Sequence, residues 1–311
     1  MNKDKLKTVN QSRIRGLGLC FMAVMLLAGC GTPSQDAVTL DPGSAGQDIY
    51  VDNNLMLKTL AAGLKKLHDK GEYPTMEELG KQLSRECCNI QLPKAADPIK
   101  TTAELYAKQK RAVLAVGSLY KCEKCTKWHV RVASGFLVSS DGIMITNYHV
   151  VDHPDAGLLG VLTYEGKIYP VKEVLAADKS ADIAVLQLEG SGFPYVTLLP
   201  QSPVGSKIWV ISNPSKQFYT FTEGIISAQV LLKWSGESTK RISVTADFGG
   251  GSSGAPVFDE RGRVIGMVAS TKAVTASKNC KDSYAQMVFR YCVPAELMLE
   301  LFSVDAQKCA E

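Results

Sequence analysis

A chain of 311 residues, 45% of them hydrophobic, has enough apolar side chain for one or two packed cores, which excludes a disordered or fibrous protein. Its 35 Lys and Arg against 31 Asp and Glu give a formal charge of +4. The excess sits in residues 1–29, which hold five of the basic and one of the acidic side chains; the remaining 30 of each leave a neutral chain with no basic patch for nucleic acid.

The chain opens with Lys3, Lys5, Lys7, Arg13 and Arg15, continues through an apolar run from Leu17 to Leu27, and reaches Leu27-Ala28-Gly29-Cys30. A basic flank followed by an apolar core too short for a typical spanning helix marks a signal peptide over residues 1–29. The Leu-Ala-Gly-Cys ending resembles the lipobox of bacterial lipoproteins. That resemblance implies cleavage before Cys30, lipidation of Cys30, and attachment to a membrane of the bacterial cell envelope. Gly31 follows in place of an aspartate, which resembles the outer-membrane default of enterobacteria, facing the periplasm. An uncleaved anchor or a plain secretory signal with an incidental cysteine is the alternative.

Residues 30–48 are rich in Thr, Pro, Ser, Gly and Gln without apolar periodicity and read as a flexible tether. A small helical region over 49–105 follows. Leu57, Leu60, Leu64 and Leu67 recur at helical spacing after Asp52, with Gly71 as a stop. Thr75-Met76-Glu77-Glu78 is a capping box opening a second helix that carries Met76, Leu79 and Leu83. Thr101 and Glu104 begin a third, with Leu105 and Tyr106. These stripes are read as core, without chemistry.

From Ala112 the pattern changes to short β-rich runs separated by turn residues, as in an all-β barrel or sandwich. In Ser134-Gly135-Phe136 to Thr146-Asn147-Tyr148-His149-Val150-Val151, an Asp141-Gly142 turn joins two alternating strands and His149 stands near the end. Asp182 heads the run Asp182-Ile183-Ala184-Val185-Leu186; Asp178, its nearest competitor, reads as a turn residue. Gly249-Gly250-Gly251-Ser252-Ser253-Gly254-Ala255-Pro256 lies between the apolar runs Ile242 to Thr245 and Val257 to Val268, so it punctuates strands and is not a Gly/Ser linker. Its three glycines permit a tight turn that aims successive N–H groups at one point.

These three segments together resemble the trypsin-like (chymotrypsin-fold) serine proteases, in particular their HtrA/Deg branch. The resemblance implies a chymotrypsin-like double β-barrel over 106–302, with barrels at about 106–199 and 204–302 and a tail at 303–311. It implies Ser253 as nucleophile, His149 as base and Asp182 as its orienting acid, in the chain order His, Asp, Ser of that group, with the N–H groups of Gly251 and Ser253 as the oxyanion hole. Peptide or protein substrates follow, and no cofactor or metal is required. Fewer than ten residues follow 302, so the PDZ domain usual after an HtrA protease unit is expected to be absent. Ser252 replaces the aspartate with which digestive trypsins pair a new N-terminus, so activation by that route is not expected. Asp247, six residues before Ser253, occupies the spacing of the trypsin S1 carboxylate, while HtrA-type loops also carry an aspartate after a threonine that serves loop geometry. With Val268, Ala269 and Ser270 as pocket wall, the HtrA likeness favours a small aliphatic residue before the scissile bond and a structural Asp247. The runner-up is a protease-fold binding or scaffold lipoprotein without turnover.

Beyond Cys20 and Cys30 the chain has Cys87, Cys88, Cys122, Cys125, Cys280, Cys292 and Cys309, an odd set for pairing. Cys122-Glu123-Lys124-Cys125 lies between strand-like flanks, so it reads as a hairpin tip and not as the helix N-terminus a redox pair needs. A zinc knuckle completed by Cys280 and Cys292, or by His129, has the right ligand types but no second Cys-x-x-Cys, and structural bridging is the favoured reading.

Overall fold

The computed structural model describes residues 50–93, 99–122, 124–234, 236–275 and 285–302. Cys30, the signal segment, Cys280 and Cys309 lie outside them.

The helical region forms as its caps dictate. Helix α1 (Asn53–Lys70) starts where the Asp52 carboxylate accepts the Leu55 N–H at 2.9 Å, and stops at Gly71, whose φ of 68° is the left-handed value that favours glycine. Helix α2 (Met76–Lys81) carries the complete capping box of Thr75 and Glu78. Leu83 falls just past its end, in a short 3-10 turn. Helix α3 (Thr102–Gln109) is capped by Thr101 and crosses the boundary expected at 105.

Among the described residues twelve strands follow and close into two six-stranded antiparallel barrels. The first contains β1 (Val113–Lys121), β2 (Trp128–Leu137), β3 (Ile143–Thr146), β4 (Ala156–Leu162), β5 (Ile168–Asp178) and β6 (Ile183–Leu188), in the order β1-β2-β3-β6-β5-β4. The second contains β7 (Lys207–Ser212), β8 (Thr220–Trp234), β9 (Glu237–Val244), β10 (Pro256–Phe258), β11 (Val264–Thr275) and β12 (Ala285–Pro294), in the order β10-β11-β12-β9-β8-β7. The described residues also form two short helices, α4 (Tyr148–Val151) after β3 and α5 (Ala295–Glu300) after β12.

Three apolar clusters hold this arrangement. One, with members such as Leu114, Leu137, Met144, Val161, Val174 and Leu186, draws on all six strands of the first barrel and is closed by Met76, Leu79 and Leu83. A second fills the other barrel with Ile208, Ile226, Ile242, Val257, Val268 and Cys292. The third joins the barrels through Phe136, Ile145, Trp209, Phe258 and Met267, and runs on to Leu60 and Leu64 of α1.

Helix α1 lies close on the first barrel because glycines admit it. A Cβ on Gly117 of β1 would stand 2.7 Å from a Leu64 methyl, and one on Gly160 of β4 would stand 2.6 Å from another. Cover on the outer faces, from α1 and from the other barrel, changes the texture of the strands. The alternation expected around Asp141-Gly142 is not observed: every residue of β3 is buried, because one face points into the barrel and the other is covered.

Candidate active site

His149 sits in α4, just beyond the end of β3. The turn is fixed by Asn147, fully buried, whose Nδ2 donates to the Asp182 carbonyl at 3.0 Å. Asp182 has a φ of 65°, a left-handed value that aspartate tolerates better than most residues but that surrounding structure must hold. With that backbone its carboxylate meets His149 twice. It accepts the His149 backbone N–H at 3.1 Å and faces Nδ1 at 2.9 Å. The Asp182 side chain is 2% exposed. An ionised Asp182 can only accept, so the pair places the His149 proton on Nδ1 and leaves Nε2 as the ring acceptor. Asp178 instead closes the preceding turn, accepting from the Ser180 hydroxyl and the Ala181 N–H, each at 2.9 Å.

The segment 249–254 belongs to the second barrel but is bound to the first. Of the three glycines at its start only Gly251, at φ 98°, uses the left-handed region, and a Cβ there would stand 2.5 Å from the Asn213 carbonyl. Gly254, at φ 86°, is more tightly held: a Cβ would fall 2.1 Å from the Ser134 carbonyl. The Gly250 carbonyl accepts from the Ser215 N–H at 2.6 Å. Among the described residues the N–H groups of Gly251 and Ser253 have no intramolecular acceptor, so both remain available to a ligand oxygen.

The two serines differ sharply. Ser252 is fully buried, its hydroxyl donating to the Ser212 hydroxyl at 3.0 Å. Ser253 is half-buried and lines a cavity of about 190 Å³ together with His149, Gly251, Ala133, Arg131 and His153. No hydrogen bond joins Ser253 and His149 among the described residues, a looseness common before substrate binds.

Ser134 is the joint between the halves of the site, a role the sequence did not reveal. From β2 its N–H donates to the Ser253 carbonyl at 2.8 Å and its hydroxyl to the Gly251 carbonyl at 3.0 Å. The same hydroxyl accepts from the Asn213 N–H at 3.2 Å and from Asn213 Nδ2 at 3.0 Å. Arg241 is a second unforeseen residue. It is 1% exposed on β9 and reaches across to the Ser180 carbonyl at 3.5 Å. Burial lowers its pKa, and the nearby Asp182 and Asp178 carboxylates oppose that shift. A third is His153, whose pKa is lowered by burial first and by the Arg131 cation second.

Asp247 is exposed and forms an ion pair with Arg290 of β12, while its carbonyl accepts from the Thr222 hydroxyl at 2.8 Å. Val268 and Ala269 are buried and Ser270 is half-buried. Val268 flanks the 249–254 segment, since its carbonyl takes the Gly254 N–H at 2.9 Å. Cys87 is in a disulfide. Cys88 and Cys292 are buried thiols; burial raises the first to about 11 and pushes the second higher. Cys292 lies inside the second barrel, so it does not join Cys122 and Cys125, whose neighbour is His129.

Residues 133–267 match the family model described as Trypsin-like peptidase domain. A probable periplasmic serine endoprotease DegP-like of Chlamydia trachomatis is 33% identical over 143 residues, which cover 43% of this chain and 27% of that protein. Its namesake in Brucella suis is 35% identical over 142 residues, covering 44% of this chain and 27% of the relative. The match therefore spans about a quarter of the length of these curated relatives. Among solved structures, the HtrA-type protease AlgW with a tripeptide superposes with a TM-score of 0.53 at 24% identity, covering 65% of this chain and 62% of that one. The active form of the Rv3671c protease from M. tuberculosis gives 0.50 at 22% identity, covering 68% and 90%. The double barrel is the fold these structures share with this chain.

Proposed function

We propose that this chain, which carries a trypsin-like peptidase domain similar to those of the HtrA/DegP type, is a serine endopeptidase that works through an acyl-enzyme. Ser253 Oγ attacks the peptide carbonyl carbon while its proton passes to His149 Nε2. The C–O bond forms as the carbonyl π pair moves onto oxygen, where the N–H groups of Gly251 and Ser253 receive the charge. Collapse breaks the C–N bond, and the proton on His149 goes to the leaving amine. Water, deprotonated by the same nitrogen, then releases the acyl group. Asp182 stays ionised, holds the tautomer and stabilises the imidazolium. The carrying observation is the double acceptance by Asp182 of the His149 N–H and Nδ1, beside a cavity that His149 shares with Ser253.

The Arg290 pair supports a structural Asp247, and with it a small aliphatic residue before the scissile bond, because a carboxylate neutralised by an arginine does not recruit a cationic side chain. We further assign the chain to the bacterial envelope, held by lipid on Cys30 and facing the periplasm, as the signal sequence and the periplasmic relatives support.

Labelling by a fluorophosphonate probe tests the activity. Wild type and Ser252→Ala should label, and Ser253→Ala should not, with peptide hydrolysis falling by about six orders of magnitude. Labelling that survives in Ser253→Ala and is lost in Ser252→Ala would reverse the assignment.

A further inference from the structure

The tip of the β1–β2 hairpin brings together two thiols and an imidazole that the peptidase chemistry does not use. Across it the Cys122 N–H donates to the Lys127 carbonyl at 2.9 Å, and the Thr126 N–H to the Cys122 carbonyl at 3.0 Å. Thr126 takes a φ of 55°, a left-handed value costly for a β-branched residue. This turn returns the chain so that Cys125 Sγ lies 3.0 Å from His129 Nε2 on β2. The ligand atoms of Cys122, Cys125 and His129 all fall within 4.8 Å of one another.

We propose that Cys122, Cys125 and His129 form a binding site for a thiophilic divalent cation, with Zn2+ the ion whose chemistry they match. Two sulfurs and one imidazole nitrogen are soft to borderline donors, which suit zinc and do not suit magnesium or calcium. With Zn–S near 2.3 Å and Zn–N near 2.0 Å, tetrahedral donors stand about 3.5–3.8 Å apart. The 3.0 Å contact between Cys125 and His129 therefore has to open slightly, and separations that all lie within 4.8 Å reach the tetrahedral values with movements of about an ångström. Metal entry displaces the thiol protons to solvent and leaves two thiolates and a neutral ring as ligands. Cys125 and His129 are exposed, so the ion has a direct path, and water takes the fourth position.

The site also has something to hold. Between the turn and His129, Trp128 packs on the His68 ring of α1 with centroids 4.5 Å apart. Further along β2, Arg131, Val132 and Ala133 line the cavity that contains Ser253. An ion at the tip fastens the outer end of the strand whose inner end borders the candidate triad.

Co2+ is the probe, because zinc itself is spectroscopically silent. The full chain, reduced and then freed of reductant under anaerobic conditions, is titrated with Co2+ and back-titrated with Zn2+ against a chromogenic chelator. The expected result is one equivalent per chain, a near-ultraviolet thiolate-to-cobalt charge-transfer band that zinc abolishes, and at least tenfold weaker binding in Cys125→Ser and in His129→Ala, with unchanged far-ultraviolet dichroism. No charge-transfer band, or binding unaltered in both variants, overturns the proposal. So does a Cys122–Cys125 disulfide that forms on admitting air with an equivalent of Zn2+ present.

Discussion

Replacing Ser134 by alanine removes one oxygen that touches both halves of the candidate site. The Gly251 carbonyl loses its 3.0 Å donor, and the Asn213 N–H loses its acceptor at 3.2 Å. Asn213 Nδ2 is less affected, since it also reaches the Leu114 carbonyl at 3.2 Å. Gly251 is half-buried and its carbonyl can recruit water, but Asn213 is fully buried and its backbone donor cannot. One orphaned buried donor predicts a loss of stability of about 1–3 kcal/mol. Catalysis should suffer by a different route. Removing an oxyanion donor outright costs about 10²–10³ in kcat; Ser134→Ala only unpins the carbonyl side of Gly251, so a tenfold to hundredfold loss is expected, mainly in kcat. Urea unfolding measures the first effect and steady-state cleavage of a peptide substrate the second. A variant that loses stability yet keeps full kcat would refute the argument that this hydroxyl sets the geometry of the Gly251 turn.

Arg241→Met removes the side chain that reaches from β9 to the Ser180 carbonyl at 3.5 Å, so the two barrels lose a directional tie and kcat for a peptide substrate should fall; a variant that keeps full kcat would refute this bracing role. His153 has a folded pKa below its unfolded value near 6.5, so its contribution to stability is present above that pH and is lost as pH falls through 6.5 and below. His153→Gln should therefore flatten the decline in urea midpoint between pH 7 and pH 5, and an unchanged decline would rule this contribution out. Cys30→Ser should shift the exported protein from the detergent to the aqueous phase, because the thioether needs a thiol and several acyl chains anchor by about 0.8 kcal/mol per buried methylene; partitioning that survives counts against lipidation.

What was legible in the sequence is what neighbours in the chain decide. The caps at Asp52, Thr75 and Thr101 bind groups three residues away, and the structure shows each helix starting at them. The pairing of His149 with Asp182 was reached through motifs, each short enough to read whole. What was not legible depends on distant partners. Ser134 meets Gly251 across 117 positions, Asp247 meets Arg290 across 43, and Arg241 meets Ser180 across 61. A serine, an aspartate and an arginine in polar surroundings carry no mark of such partners. Nor does a strand announce that the seam between two barrels will cover its outer face, which is why alternation was expected in β3.

The same distinction explains why the site is built across a seam. His149 and Asp182 are fixed by the first barrel, whereas Ser253 and the N–H groups of Gly251 and Ser253 come with the second. Neither barrel alone sets the separation of base and nucleophile. The apolar contacts between Phe136, Ile145, Phe258 and Met267 supply adhesion, but apolar contact is non-directional and tolerates small slides. Directional bonds do not. Ser134 to Ser253 and Gly251, and Arg241 to Ser180, cross the seam at 2.8, 3.0 and 3.5 Å, and the Thr146 hydroxyl braces them by donating to the Ser134 carbonyl at 2.8 Å. A site in which ångström errors would cost rate needs register as well as adhesion, and these buried polar groups supply it where further apolar packing would not.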